Sequence, residues 1–191
     1  VIRRELLFRE GDCFDPRLLE ESERLLRAHE FLAQVDIFGV PQADGGYHVV
    51  VDTQDEWSTQ LDVRLALRDG FSFDGLRIRE VNALGTGQVV EAFWLEREVT
   101  RDYGVAFESP QFLKTRWDMR LALGRTRAGS TVRQALAYPF RGETGRWAAL
   151  QDFVREDRFF EYIDEPPDDG FSRVLLPVRH NAFDLGIVRR F

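Results

Sequence analysis

The sequence predicts a mainly β protein, with a small α+β segment at its start and an antiparallel β-meander over the rest. Three observations carry this reading. Helical periodicity is confined to residues 1–29. Runs of apolar/polar alternation fill the chain from residue 60 onward. Gly-, Asp- and Pro-containing turn signals separate those runs at hairpin intervals.

Residues 1–8 form a short helical stretch that stops near Gly11, a residue suited to a helix end. Asp15-Pro16 then opens a stronger helix, with Asp as cap and Pro in the first turn. Leu18, Ser22, Leu25 and His29 fall at helical spacing, flanked by Leu19 and Leu26. Glu20–Arg24 and Glu23–Arg27 are i,i+4 pairs for the wet side. Ser22 is small enough to let another helix approach closely. Next, Val35 and Ile37 alternate with Gln34 and Asp36. A turn at Pro41-Gln42-Ala43-Asp44-Gly45-Gly46 leads into the β-rich run Tyr47-His48-Val49-Val50-Val51-Asp52.

After Trp57 the helical signal ends. In residues 60–68, Leu61, Val63, Leu65 and Leu67 share one face, with Asp62, Arg64 and Arg68 on the other. Residues 116–123 repeat the pattern, with Trp117, Met119, Leu121 and Leu123 opposite Arg116, Asp118 and Arg120. Tyr103, Val105 and Phe107 alternate with Gly104, Ala106 and Glu108. Further strands are expected at 72–81, 87–99, 130–139, 146–156, 171–179 and 182–190. Turns are expected at Asp69-Gly70, Leu84-Gly85-Thr86-Gly87, Ala128-Gly129-Ser130 and Arg141-Gly142-Glu143-Thr144-Gly145. The acidic stretch 164–170 reads as a longer loop.

Composition narrows the class. The formal net charge of −7 over 191 residues argues against a nucleic-acid binder driven by bulk charge. There is no run of about 18 apolar residues, so no membrane-spanning helix is expected. Barrel strands escape this test, because each needs only about 10 residues and half of them are polar. The 16 Phe, four Trp and four Tyr suit a sheet or an aromatic-girdled barrel. One cysteine, Cys13, allows no internal disulfide. The opening at Val1, inside a helical stretch, reads as a chain cut from something longer.

Alternation alone suits a soluble sheet and a barrel equally. Length favours the barrel: several runs reach about 9–13 residues, enough to cross a bilayer at a tilt, where soluble strands average about 5–6. The order of the segments adds a resemblance. Val1-Ile2-Arg3-Arg4-Glu5-Leu6, Gly11-Asp12, Leu18, Leu25-Leu26-Arg27, Phe31-Leu32-Ala33-Gln34-Val35 and Val49-Val50-Val51 together resemble a polypeptide-transport-associated (POTRA) domain over residues 1–56. The complete form of that domain is β-α-α-β-β, and its first strand is absent here. Residues 57–191 resemble the opening strands of the barrel in the BamA/TamA-like outer-membrane superfamily. The carriers are Asp55-Glu56-Trp57, Glu80-Val81-Asn82-Ala83-Leu84-Gly85-Thr86-Gly87, Ser109-Pro110-Gln111-Phe112 and Tyr138-Pro139-Phe140. The Glu-x-Asn-x-Leu-Gly-x-Gly segment is the most specific of these. The superfamily's Val-Arg-Gly-aromatic motif is missing, since Phe140-Arg141-Gly142 has the wrong order and position.

The resemblance implies a bacterial outer-membrane protein of the assembly or translocation type, with residues 1–56 in the periplasm and 57–191 as the first barrel strands. Its partners would be outer-membrane lipid, unfolded client polypeptides and periplasmic accessory proteins. It would use no cofactor and perform no bond chemistry. The candidate client-binding edge is the strand Gln34, Val35, Asp36, Ile37 and Phe38, where an extended peptide could pair backbone to backbone. Two other classes remain open from the residues: a soluble β-rich interaction protein, and the membrane-anchoring part of a larger fused enzyme.

Other constellations read as structural. His29, His48 and His180 have no ligand spacing to one another or to Cys13. Cys13 precedes a helix but lacks an obvious His or Asn partner. No Gly-x-Ser-x-Gly elbow occurs. Leu84-Gly85-Thr86-Gly87 sits between strands, as a hairpin turn does, not as a phosphate loop. The acidic stretch 164–169 is a solvated loop ahead of a cation site. The terminal aromatic Phe191 follows an alternation that Arg189 breaks.

Overall fold

The computed structural model describes residues 1–67, 70–96, 101–142, 145–164 and 172–191. It opens with α1 (Ile2–Glu5), shorter than the 1–8 stretch expected from sequence. A single turn cannot hold itself in water, and here tertiary contacts hold it. The chain leaves α1 extended at Leu6, and Ser22 Oγ accepts the Leu7 N–H at 2.9 Å.

The helix α2 (Pro16–Arg27) starts as the sequence requires: the Asp15 carboxylate accepts the Arg17 N–H at 3.0 Å, with Pro16 in the first turn. Its buried face is Leu19, Ser22 and Leu26. That is a rotation from the expected Leu18–Ser22–Leu25–His29 stripe, and His29 lies past the helix end. Ser22 admits the extended backbone at Leu7, not a second helix, while its own hydroxyl donates to Leu18 O at 2.6 Å. A hairpin follows, β1 (Leu32–Pro41) and β2 (Tyr47–Asp55), with Val35 opposite Thr53 and Ile37 opposite Val51. Its turn closes through Gln42 N–H to Gly46 O at 2.8 Å.

The rest is one eight-stranded antiparallel meander: β3 (Thr59–Leu67), β4 (Phe71–Ala83), β5 (Gln88–Glu96), β6 (Arg101–Ser109), β7 (Asp118–Thr126), β8 (Gly129–Tyr138), β9 (Trp147–Asp164) and β10 (Ser172–Arg189). A 3-10 turn at Phe112–Lys114 joins β6 to β7. Among the described residues the sheet is open, with β3 and β10 at its edges. The two strands expected at 171–179 and 182–190 are one continuous strand, β10, paired with β9 from Ser172 to Arg189. Asn181 is a lone turn-former there, with no Gly or Pro beside it, and alternation runs straight through. Most of the acidic stretch 164–170, with parts of the 69–70 and 141–145 turns, lies outside the described residues.

Register sorts the side chains onto two faces. One face carries Leu61, Val63 and Leu65 on β3, Leu76 and Ile78 on β4, Ala92 and Trp94 on β5, Tyr103, Val105 and Phe107 on β6, and Met119, Leu121 and Leu123 on β7. A bulge in β4 keeps this face apolar. Arg64 pairs with Gly75 but Leu65 with Phe73, so Asp74 is the extra residue. It brings Phe71 and Phe73 onto the same side as Leu76 and Ile78. Ser72 Oγ donates to the Asp74 carboxylate at 2.9 Å and fixes the bulge.

The buried core lies where α2 and β1 meet the opposite face of the sheet. Leu19, Leu26, Phe31, Leu32, Val35 and Ile37 pack with Val81 of β4 and Val89 of β5. One hydrophobic cluster therefore spans the N-terminal segment and the first strands of the large sheet.

Candidate functional site

The turn between β4 and β5 is built to receive the N-terminal segment. Glu80 accepts from Thr59 Oγ1 at 2.7 Å and from the Asn82 N–H at 3.0 Å. Asn82 Oδ1 accepts the Gly87 N–H at 2.8 Å, closing the turn. Gly87 has φ +68, and a Cβ there would lie 2.7 Å from Val1 Cγ2 and 3.2 Å from Phe31 Cε1. The Glu-x-Asn-x-Leu-Gly-x-Gly segment is thus a turn whose side chains bond inward and whose last glycine admits Val1 and Phe31.

Polar contacts complete this junction. Glu5, on α1, is buried against the sheet's turns. It accepts a hydrogen bond from Gln111 Nε2 and pairs with Arg141 Nη1 at 2.5 Å. His29 Nε2 lies 3.6 Å from Oε1, the oxygen that also accepts from Gln111. Burial alone would raise the Glu5 carboxyl. The bonds from His29, Gln111 and Arg141, with the charge of Arg141, outweigh it and hold the group below the ordinary glutamate value. Gln111 sits in the left-handed region at φ 57, which turns its amide toward Glu5. Further out, Glu30 pairs with Arg79 on β4, and that hydrogen bond holds the Glu30 carboxyl low.

The two faces of the sheet differ in chemistry. The face that meets the N-terminal segment carries cross-strand ion pairs: Arg77–Glu91 at 3.4 Å, Arg120–Glu108 at 3.2 Å and Arg133–Glu156 at 3.3 Å. The other face is an apolar band between two groups of aromatics. Near the N-terminal segment, Trp117 and Tyr138 meet edge to face at 5.4 Å, and the Arg189 guanidinium lies 5.2 Å over Trp147. At the far end Phe73 stacks on Trp94 at 5.4 Å, and Trp94 pairs with Tyr103. From the level of Trp117 to that of Tyr103 is roughly 26 Å along β7 at about 3.3 Å per residue. A barrel tilt of about 40° reduces this to roughly 20 Å, close to the apolar band of about 25 Å in membrane barrels. Within the band, Gln134 Nε2 donates to Gln151 Oε1 at 2.8 Å, so the two amides satisfy each other across β8 and β9.

The candidate edge strand lies in β1. Val35 and Ile37 face the core, at 0% and 8% exposure. Gln34 and Asp36 point away and bond to each other at 2.6 Å, and Phe38 is half exposed. Among the described residues β1 has a strand neighbour, β2, on one side only. Backbone groups an added strand would use are already engaged by α2. Glu23 Oε2 accepts the Ile37 N–H at 3.0 Å, and Arg27 donates twice to Val35 O, at 3.2 and 3.0 Å. Glu23 and Arg27 are themselves paired at 2.6 Å. Sequence reading placed this pair on the wet side of the helix and missed its second task. The available signal was only that it falls one helical turn before the β1 strand.

The remaining residues singled out from sequence do not converge. Cys13 is exposed. Among the described residues no three His, Cys, Asp or Glu side chains are placed to hold a metal ion. The Arg189 guanidinium lies 5.2 Å over the Phe191 ring. A cleft of about 1010 Å³ lies beside β2, with Leu6, Phe8, Tyr47 and Val49 on its apolar side and Arg3, Arg9, Glu10, Asp12 and Asp15 on its charged side.

With this geometry in hand, the chain can be compared with solved structures, 27 chains of which match it. The chain is similar to the crystal structure of BamA from Haemophilus ducreyi lacking POTRA domains 1–3, with TM-score 0.59 and 13% identity. The match covers 97% of this chain and 40% of that one, so the chain spans less than half of its structural neighbour. At that identity the likeness shows the fold, a BamA-like β-barrel sheet. No protein-family model matches the sequence, and no curated protein matches it.

Proposed function

We propose that this chain is part of an outer-membrane protein of the assembly or translocation type. Residues 1–56 work in the periplasm as a partial POTRA-like module, and residues 57–191 form the first strands of a barrel. The module captures client polypeptide and the barrel assists its insertion or secretion, without cofactor and without bond chemistry. The observation that carries this reading is the two-faced sheet: an apolar band between aromatic belts on one side, ion pairs on the other. Lipid accepts the first face and a water-filled lumen the second. The open edges at β3 and β10 fit a sheet continued by further strands, since a bilayer tolerates no unpaired edge.

Cysteine labelling of the full reading frame in bacterial outer membranes tests the membrane assignment. In a Cys13→Ser background, Val105→Cys and Leu121→Cys should react only with a lipid-soluble maleimide. Asp62→Cys and Ala122→Cys should react with a water-soluble one. Equal labelling of all four by the aqueous reagent would establish a soluble sheet and remove the proposal. Client capture is tested by Ile37→Pro, which deletes a backbone donor of the β1 edge. A still-folded variant that binds an unfolded barrel peptide as well as the parent would exclude this edge as the capture site.

A further inference from the structure

At the end of the sheet remote from the N-terminal segment, the apolar face finishes in arginines. The strand pairings place Tyr103, Arg125 and Ser130 side by side on β6, β7 and β8, and continue to Asp157 and Arg179 on β9 and β10. One pair closer to the band, Leu123 pairs with Val132 and Val132 with Arg155. All of these share the face that carries Leu121 and Val105. Arg179 is engaged: it donates to Asp157 at 2.6 Å, and Asp157 also accepts from the Ser130 N–H at 3.2 Å. On β5 and β6, Arg101 is likewise paired with Glu96 at 2.5 Å. Arg125 and Arg155 differ. Both are exposed, and among the described residues neither has a carboxylate partner.

Strands lie about 4.8 Å apart, so β7 and β9 are roughly 10 Å apart across β8. A guanidinium reaches a large part of that distance from its own backbone. Arg125 and Arg155 therefore flank the short side chains Ser130 and Val132, which leave the space above β8 open. Two unpaired guanidinium groups on either side of a small-residue floor, at the boundary of an apolar band, suit one class of ligand: a group with acyl chains below and a phosphate above. Arginine matches phosphate oxygens with paired N–H donors. Asp157 does not oppose the anion strongly, because Arg179 already neutralises it.

We propose that Arg125 and Arg155 form a binding site for the phosphate of a membrane lipid headgroup, with its acyl chains lying along Val105, Leu121 and Leu123. The inference rests on the membrane reading of this face and adds a specific lipid contact to it.

The test uses the full-length protein in neutral detergent micelles. Short-chain phosphatidic acid is titrated in, and retained lipid is counted by native mass spectrometry. Diacylglycerol of the same chain length and inorganic phosphate are run in parallel. The parent should retain phosphatidic acid in preference to both. Arg125→Gln/Arg155→Gln should weaken retention at least about tenfold, and Arg125→Lys/Arg155→Lys should restore part of it. Arg116→Gln/Arg146→Gln, which removes equal charge from the other end of the sheet, should change retention less than twofold. Equal retention of diacylglycerol, or equal loss from both pairs of Gln variants, would overturn the site. Inorganic phosphate competing at equal concentration would show that the acyl chains contribute nothing and would overturn the lipid assignment. Lipid-only cysteine labelling together with any of these results would sink this inference alone and leave the membrane reading standing.

Discussion

Glu23 accepts the backbone N–H of Ile37 at 3.0 Å, so a helix side chain occupies a place on β1 that a neighbouring strand would take. Arg27 does the same for Val35 O. If the edge captures extended clients, these two side chains compete with them.

Removing the competitors should therefore open the edge. Glu23→Ala/Arg27→Ala is expected to increase photo-crosslinking of an unfolded barrel peptide to a probe placed at Gln34. It should also lower stability by about 1–2 kcal/mol through the lost hydrogen bonds to charged groups. Crosslinking that stays constant while stability falls would assign the pair a structural role only.

The buried Glu5 predicts an acid-sensitive junction. Its folded carboxyl is held below the unfolded value, so its contribution is full above about pH 4.5 and is lost as pH falls further. Protection of the Gln111 region in hydrogen exchange should fall across that window. Glu5→Gln should abolish the pH dependence and cost about 3 kcal/mol, because Arg141 is left buried without its partner. A pH response that survives in Glu5→Gln would point to a different group.

Gly87→Ala should loosen the same junction from the other side. The new Cβ meets Val1 and Phe31 in a left-handed turn, for a cost of about 1–3 kcal/mol. Thermal unfolding is the measurement, and an unchanged midpoint would mean that the N-terminal segment shifts freely.

The Gln134–Gln151 pair predicts non-additivity. Gln134→Leu leaves one amide unsatisfied in the apolar band, whereas Gln134→Leu/Gln151→Leu removes both. In a bilayer the single variant should lose roughly 1 kcal/mol and the double variant should recover it. Additive losses in urea titrations of vesicle-inserted protein would place this part of the face in water.

Much of the sheet is readable from the chain because alternation is a local signal. Leu61-x-Val63-x-Leu65 and Trp117-x-Met119-x-Leu121 need no tertiary information to declare a face. The bulge at Asp74 is different. Phe71, Phe73, Leu76 and Ile78 break strict alternation, and only pairing with β3 resolves them onto one side. The continuity of β10 is hidden for the opposite reason: residues 179–182 are polar or small and include the turn-former Asn181, which here sits within the strand. Residues 34–38 fall within β1, but the engagement of their backbone by Glu23 and Arg27 depends on how α2 crosses the strand, which periodicity does not encode. Nothing local marks Glu5, because its partners Gln111 and Arg141 are 106 and 136 positions away.

The cluster that joins Leu26 and Phe31 to Val81 and Val89 has a consequence for engineering. A chimaera cut at residue 57, as the two-part organisation invites, would strip an oily lining from both products. The graft would succeed only if Val81, Gly87 and Val89 travelled with the leading segment, so the heritable unit of exchange is larger than the segment that sequence similarity outlines.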